Sequence, residues 1–361
     1  MEREVKPKEE VIPNPYSRRS AISVRHEFFG REKEMTEIFQ LLEQQQSIAL
    51  IGERRAGKSS ILNAIDFLRR ESKLSEDVRL IFVNCLYAEE SPEQRFIKHM
   101  LYQITSALKI DKLPPERDSL IDAAEDARSR GYTLVILMDE VDVIVDNPKI
   151  PKDLFSFFRA WSENYRIPFV VTSREGKIEP LLRFTSVGSP FWNSLKTVYV
   201  GPFTHAETLN LTLTPAYLSG QPFTDEQVEW IHAHGGHHPF FTQIAAYAVF
   251  GQPKLNPERW HAAFMMEASQ HFEYMLDVME EKQCDALAEF LHGAPLSPRM
   301  KSDLLLKGIL IEDYGEPPPF SSRLQLFSVG LEEKLRSRYK KSTATAASRS
   351  LIDNVKELFQ G

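Results

Sequence analysis

Gly52-Glu-Arg-Arg-Ala-Gly57-Lys58-Ser59-Ser60 places two glycines five positions apart and follows the second with a lysine and two hydroxyls. An apolar run, residues 47–51, leads into it, and a helical pattern (Ile61, Leu62, Ile65, Phe67, Leu68) leads away. A Gly-x4-Gly-Lys-Ser turn between strand and helix is the pattern of a phosphate cradle. Glycine lets successive backbone N–H groups curl toward phosphate oxygens, and the helix N-terminus adds partial positive charge. Lys58 would bridge the β- and γ-phosphates, Ser59 would hold Mg²⁺, and Glu53, Arg54, Arg55, Ala56 and Ser60 would complete the wall of the site. Such a cradle needs a carboxylate at the end of a neighbouring strand. The run Leu134-Val-Ile-Leu-Met-Asp139-Glu140 supplies one. Asp139 is the expected second Mg²⁺ group and Glu140 the group that polarises the attacking water. A third run, Phe169-Val-Val-Thr-Ser173-Arg174, ends in polar residues where a parallel sheet presents its carboxyl edge, and Arg174 is placed to read a γ-phosphate.

Those residues need a sheet behind them. From about 47 to 200 apolar strand-like runs alternate with amphipathic helical segments, which predicts an α/β fold, a P-loop parallel sheet with helices on both faces. After 203 the pattern is helical, with short Gly/Pro punctuation. After 292 a short helix, two strand-like runs around a polar turn and a further helix outline a winged-helix unit. The expected organisation is a flexible lead-in at 1–24, a nucleotide-binding domain at 25–202, a helical lid at 203–291, a winged helix at 292–341, and a linker with a short C-terminal helix (Leu351–Phe359) at 342–361.

Composition narrows the classes. The 361 residues are 42% hydrophobic and 26% charged, with a formal net charge of −7. That balance is ordinary for a globular protein and unlike a polybasic nucleic-acid or membrane binder. The two cysteines, Cys85 and Cys284, read as buried thiols. No run has the ~18 apolar residues of a membrane span, and the charged N-terminus lacks the apolar core of a signal peptide. A cytoplasmic location is the expectation.

Taken in order, Phe28–Met35 (FFGREKEM), the glycine-lysine turn, VILMDEVD, VVTSRE, Val200-Gly-Pro-Phe203 and Gly235-Gly-His-His-Pro-Phe-Phe241 resemble the STAND class of signal-transduction ATPases, relatives of AAA+ and NB-ARC modules. The resemblance spans roughly residues 25–340. It implies binding and slow hydrolysis of ATP, with ADP as the other nucleotide state and Mg²⁺ as cofactor. It implies that Phe29, Gly30 and Arg31 lie near the adenine and that Pro239 of the lid packs against the base. Lid and winged helix would close over nucleotide, and ATP would open the molecule for self-association or for a separate effector protein. Two histidines stand between Gly236 and Pro239 where the family signature has one residue, and no Met-His-Asp triplet occurs in the winged-helix region. Arg183 is a candidate finger acting on a neighbouring subunit. The absence of an Asn/Thr-Lys-x-Asp element after the Asp139 strand favours adenine over guanine.

One rival function belongs to another class. A winged helix can bind duplex DNA, and Arg336, Arg338 and Lys340 lie within the basic run 334–341, although the expected wing is acidic. His232, His234, His237 and His238 invite a metal reading, yet the run that follows them is a core helix, so a structural role is the expectation. Phe155, Phe157, Phe158 and Trp161 read as a buried helix face rather than a base-stacking platform.

Overall fold

The computed structural model describes residues 12–72, 74–89, 91–174, 177, 190–252, 256–314 and 322–339. Arg183, Lys340, Lys341 and the linker and helix expected after 342 lie outside the described residues. The chain divides into two compact units, one spanning Ser20–Gly201 and the other joining the residues before Ser20 to those from Pro202 onward.

The first unit is built on five parallel strands, β1 (Ser47–Ile51), β2 (Val78–Asn84), β3 (Thr133–Asp139), β4 (Phe169–Ser173) and β5 (Leu195–Tyr199), in the order β2-β3-β4-β1-β5. Its helices are α1 (Glu32–Glu43), α2 (Lys58–Leu68), α3 (Glu93–Leu108), α4 (Arg117–Ser129), α5 (Asp142–Asp146), α6 (Asp153–Tyr165) and the short α7 (Pro190–Asn193). The period-two alternation of strands explains why both faces are covered. Ile48, Leu50, Val135, Leu137, Val170 and Val198 share one core with Met35 and Ile38 of α1 and Ile61 and Ile65 of α2. Ala49, Ile51, Ile136, Met138, Phe169 and Val171 share the opposite core with Met100 of α3, Leu120 of α4, and Phe155, Phe158 and Trp161 of α6. The expected parallel sheet with helices on both faces is present. Of the α6 aromatics expected to be buried, Phe155, Phe158 and Trp161 are core and Phe157 packs half-buried at its margin.

The second unit is helical: α8 (His205–Leu218), α9 (Asp225–Gly235), α10 (Pro239–Val249), α11 (Pro257–Val278), α12 (Glu281–Phe290) and α13 (Pro298–Leu306). An antiparallel ribbon, β6 (Leu310–Tyr314) with β7 (Ser322–Leu326), and a helix α14 over 329–339 follow. Thr204 and Thr224 open α8 and α9 with capping boxes, which satisfy backbone N–H groups that would otherwise lack partners. Helical periodicity alone predicts two separate segments here, 257–268 and 272–291. The structure carries α11 unbroken to Val278, because Ser269-Gln-His contains no helix breaker, and stops it before Glu280, which caps α12 together with Gln283.

Residues 12–19 belong to this helical unit, a correction to the loose lead-in expected over 1–24. Tyr16 is 2% exposed and packs against Phe223 and Phe250. Its hydroxyl donates to the Thr212 carbonyl and accepts from the Ala216 N–H. Those two groups would ordinarily bond to each other across one turn of α8. Pro215, inside that turn, disturbs the ladder, and the tyrosine hydroxyl bridges it. Burial raises the Tyr16 pKa, so the phenol stays protonated and able to donate.

Candidate nucleotide-binding site

β1 ends at Ile51 and α2 starts at Lys58, so the glycine-rich turn lies at the carboxyl edge of the sheet. Within it Arg55 has φ 66° and Gly57 φ 100°. Such alternation in backbone handedness aims successive N–H groups to one side. Gly52 cannot carry a side chain: a Cβ there would overlap the Val200 carbonyl oxygen. The Ile51 carbonyl accepts from the Val200 N–H at 2.7 Å, and the Ser173 carbonyl accepts from the Gly52 N–H at 3.4 Å. The turn is therefore held between the ends of β4 and β5. Lys58 folds back over it, donating to the Gly52 carbonyl at 2.7 Å and the Glu53 carbonyl at 2.8 Å. Burial lowers the Lys58 pKa, and the nearby carboxylates of Glu53, Asp142, Asp139 and Glu140 oppose that shift. The sequence-expected carboxylates thus share the electrostatic neighbourhood of the sequence-expected lysine.

Asp139 ends β3, where Met138 pairs with Val171 of the adjoining β4. Its Oδ1 accepts from the Thr172 hydroxyl at 2.6 Å. The same hydroxyl accepts from the Glu140 N–H at 2.8 Å, and the Thr172 carbonyl accepts from the Val141 N–H at 3.0 Å. Glu140 has φ 54°, a left-handed conformation uncommon for a residue with a side chain. Thr172, fully buried, pins this turn and leaves the Glu140 side chain exposed. Ser173 donates to Asp142 Oδ1, while the Arg174 N–H and Nε donate to Asp142 Oδ2 at 3.0 and 3.2 Å. Arg174 therefore pairs with the buried Asp142 at the edge of the site. The sequence shows Thr172 and Ser173 as the polar end of an apolar strand but assigns no role to them or to Asp142, because their bonds depend on the approach of the segment after β3.

The remaining expected site residues have these partners within the protein. The Ser60 hydroxyl accepts from the Ile22 N–H at 3.0 Å, and Asn63 Nδ2 donates to the Ile22 carbonyl at 2.9 Å, so this face of α2 holds the incoming chain. Gly30 lines a cavity of about 420 Å³ with Phe28, Met35, Phe39 and Leu68, which no residue of the glycine-rich turn lines. Phe28, rather than the half-buried Phe29, enters the core, its ring 5.7 Å from that of Phe67. Arg31 is buried and donates to Glu34 Oε1 (2.7 Å), the Ala56 carbonyl (2.9 Å) and the Gly201 carbonyl (2.7 Å). Cys85 is fully buried at the end of β2, and burial, ahead of the nearby carboxylates, raises its thiol pKa well above the ordinary value.

Pro239 lies in the helical unit at the first position of α10. The histidines around it are packed: His238 stacks on Phe327 and meets Phe241 edge-on, and His234 stacks on Trp230 at 3.7 Å. Burial pushes His232 and His234 down to about 4. No group of three or more His, Cys, Asp or Glu among the described residues has the geometry to hold a metal ion.

A family model described as novel STAND NTPase 1 matches residues 21–241, more than half of the chain. The chain belongs to that family. It is therefore a P-loop NTPase with a nucleotide-binding site, and the glycine-rich turn lies within the matched span. Among solved structures, the fold is similar to a Walker-type ATPase of Pyrococcus abyssi, with a TM-score of 0.63 and 18% identity over 89% of this chain and 99% of that one. It is also similar to the ORC2 protein of Aeropyrum pernix in ADPNP–ADP complexes, with a TM-score of 0.56 and 14% identity over 92% of this chain and 98% of that one. No curated protein sequence matches. None of the described helices is long and apolar enough to cross a membrane.

Proposed function

We propose that this STAND NTPase is a slow, cytoplasmic ATPase in which nucleotide state drives a conformational change and protein assembly, by self-association or with a separate effector. The observation that carries the reading is the convergence on one sheet edge of a half-buried lysine, a hydroxyl and two consecutive carboxylates, one held in place and one exposed. Gly52–Ser60 bind the phosphates, and Lys58 offsets their charge. The Ser59 hydroxyl and Asp139 carboxylate are hard oxygen donors suited to Mg²⁺, which when bound supplies positive charge against the phosphate oxygens. Glu140, exposed next to Asp139, takes the proton of the attacking water. Arg174 stands on Asp142 and is available to exchange that carboxylate for a γ-phosphate.

The ribbon β6–β7 with α13 before it and α14 after it supports a winged-helix reading of 292–341, and Pro239 keeps its expected role toward the base. The partner class is protein rather than DNA. Lys334 pairs with Glu273 (2.7 Å), Arg336 with Glu332 (2.9 Å) and Arg338 with Asp277 (2.7 Å), so the basic side chains of α14 are engaged within their own unit. The test is light scattering on chromatographed protein without nucleotide, with ADP, and with ATP and Mg²⁺, beside Glu140→Gln, with phosphate release measured in parallel. A larger particle only with trapped ATP supports assembly. A monomer in every state removes self-association, and salt-sensitive duplex binding by that monomer replaces the reading with DNA association.

A further inference from the structure

We infer that Arg31 is a positioning residue that sets the phosphate-facing peptide of the glycine-rich turn and ties it to the residue where the chain leaves the α/β unit, rather than a reader of the nucleotide base. The inference rests on the phosphate-cradle reading of residues 52–60. Gly30 and Arg31 are consecutive left-handed residues, φ 68° and 69°. A left-handed arginine is disfavoured and persists when its surroundings hold it. Three acceptors do so here: Glu34 Oε1 on one terminal nitrogen, and the Ala56 and Gly201 carbonyls on the other. With its guanidinium buried, Arg31 presents its fork to the protein's own backbone.

The bond to Ala56 bears on the cradle through the planarity of the peptide. Carbonyl and N–H of one trans peptide point in opposite directions. Arg31 draws the Ala56 oxygen to its own side, so the N–H of Gly57 is turned away from Arg31. Gly57 is the residue before Lys58, at the N-terminus of α2, where an anion is received. The same nitrogen, Nη2, holds Gly201, the last residue of the unit. Moving either carbonyl therefore disturbs the bond to the other.

The test is calorimetric titration of the full chain with ADP and with inorganic tripolyphosphate, each with Mg²⁺, for wild type, Arg31→Met, Arg31→Lys and Glu34→Gln. A group that orients the cradle acts on both ligands, whereas a base reader acts on ADP alone. Arg31→Met and Arg31→Lys are expected to weaken both by the same factor, about tenfold or more, because an ammonium cannot span three acceptors arranged for a fork. Glu34→Gln keeps both carbonyl bonds and is expected to stay within about threefold. Loss of ADP binding with tripolyphosphate unchanged would overturn the proposal in favour of base reading, and so would affinities within twofold of wild type for both ligands. Wild-type protein that binds neither ligand removes the cradle reading itself. Should Arg31→Met fail to melt cooperatively, Arg31→Lys decides by the same ratio. Hydrogen exchange on that variant supplies a second measure: faster exchange at the Gly57 amide is expected, and unchanged exchange there counts against the tether.

Discussion

The two units bury polar groups for opposite ends. In the α/β unit, Lys58, Asp139, Thr172 and Arg31 are drawn toward one sheet edge, where the proposed nucleotide site lies. In the helical unit, His234, His238 and Tyr16 fix the unit to itself, with rings stacked on aromatics or hydroxyls bridging a helix. Each unit also contains a glycine closed by another backbone. A Cβ on Gly52 would overlap the Val200 carbonyl oxygen, and one on Gly236 the Phe327 carbonyl oxygen, with Gly236 in addition at φ 57°. A functional cradle and a structural joint can thus rest on the same local device. The difference lies in what the surrounding polar groups have left to bind.

Four expectations sharpen or break that contrast. The largest concerns Lys58→Ala, which should weaken ADP and ATP binding at least a hundredfold by calorimetry while moving the ligand-free melting temperature little; a large loss of stability without loss of binding would make Lys58 a packing residue. Next, Gly52→Ala and Gly236→Ala should each destabilise by about 2–4 kcal/mol in chemical denaturation. Gly52→Ala should also abolish nucleotide binding, whereas Gly236→Ala should leave tripolyphosphate affinity close to wild type; parallel losses in both variants would dissolve the distinction between the units.

The third expectation is pH-dependent. His234 has a folded pKa of about 4 against an ordinary 6.5, because burial disfavours the charged ring. The unfolded chain therefore binds the proton more readily, and stability is full above about pH 6.5 and falls as pH drops toward 4. The loss is about 3 kcal/mol, with His232 falling in the same direction. His234 Nδ1–H donates to the Trp230 carbonyl, so in the neutral ring Nε2 is the acceptor of the hydrogen bond from His261 Nδ1–H. A His234→Gln variant should flatten the melting profile between pH 4 and 6.5; an unchanged slope would mean another group carries it. The smallest effect is that of Lys334→Ala with Arg338→Ala, less than about 1 kcal/mol together, because both pairs are partly exposed. That double variant should leave duplex affinity unaltered in a salt titration, and a steep loss would return DNA to the partner list.

The sequence made legible whatever depends on spacing along the chain. The strand–turn–helix of residues 47–68, the apolar β3 ending in Asp139 and Glu140, and the sheet alternation all follow from local pattern. What it did not disclose depends on which carbonyl or carboxylate another segment brings within reach. Arg31 stands in a motif whose resemblance implies the base, and its bonds to the Ala56 and Gly201 carbonyls could not be read from spacing. Thr172 was visible as a hydroxyl in an apolar strand, but its use required the register of β4 beside β3. The α14 run 334–338 looked available because Glu273 and Asp277, its partners, lie some sixty residues upstream.

The splice at Pro215 has a consequence for how the chain can be divided. Because Tyr16 supplies the hydroxyl that bridges α8, the helical unit is written in two pieces with the α/β unit inserted between them. A fragment beginning at Pro202 carries every described helix of that unit yet lacks the ring between Phe223 and Phe250 and the bridge from Thr212 to Ala216. Residues 12–19 supplied ahead of Pro202 through a flexible glycine-serine link carry the missing ring and bridge, so the helical unit calls for a permuted gene rather than a simple truncation.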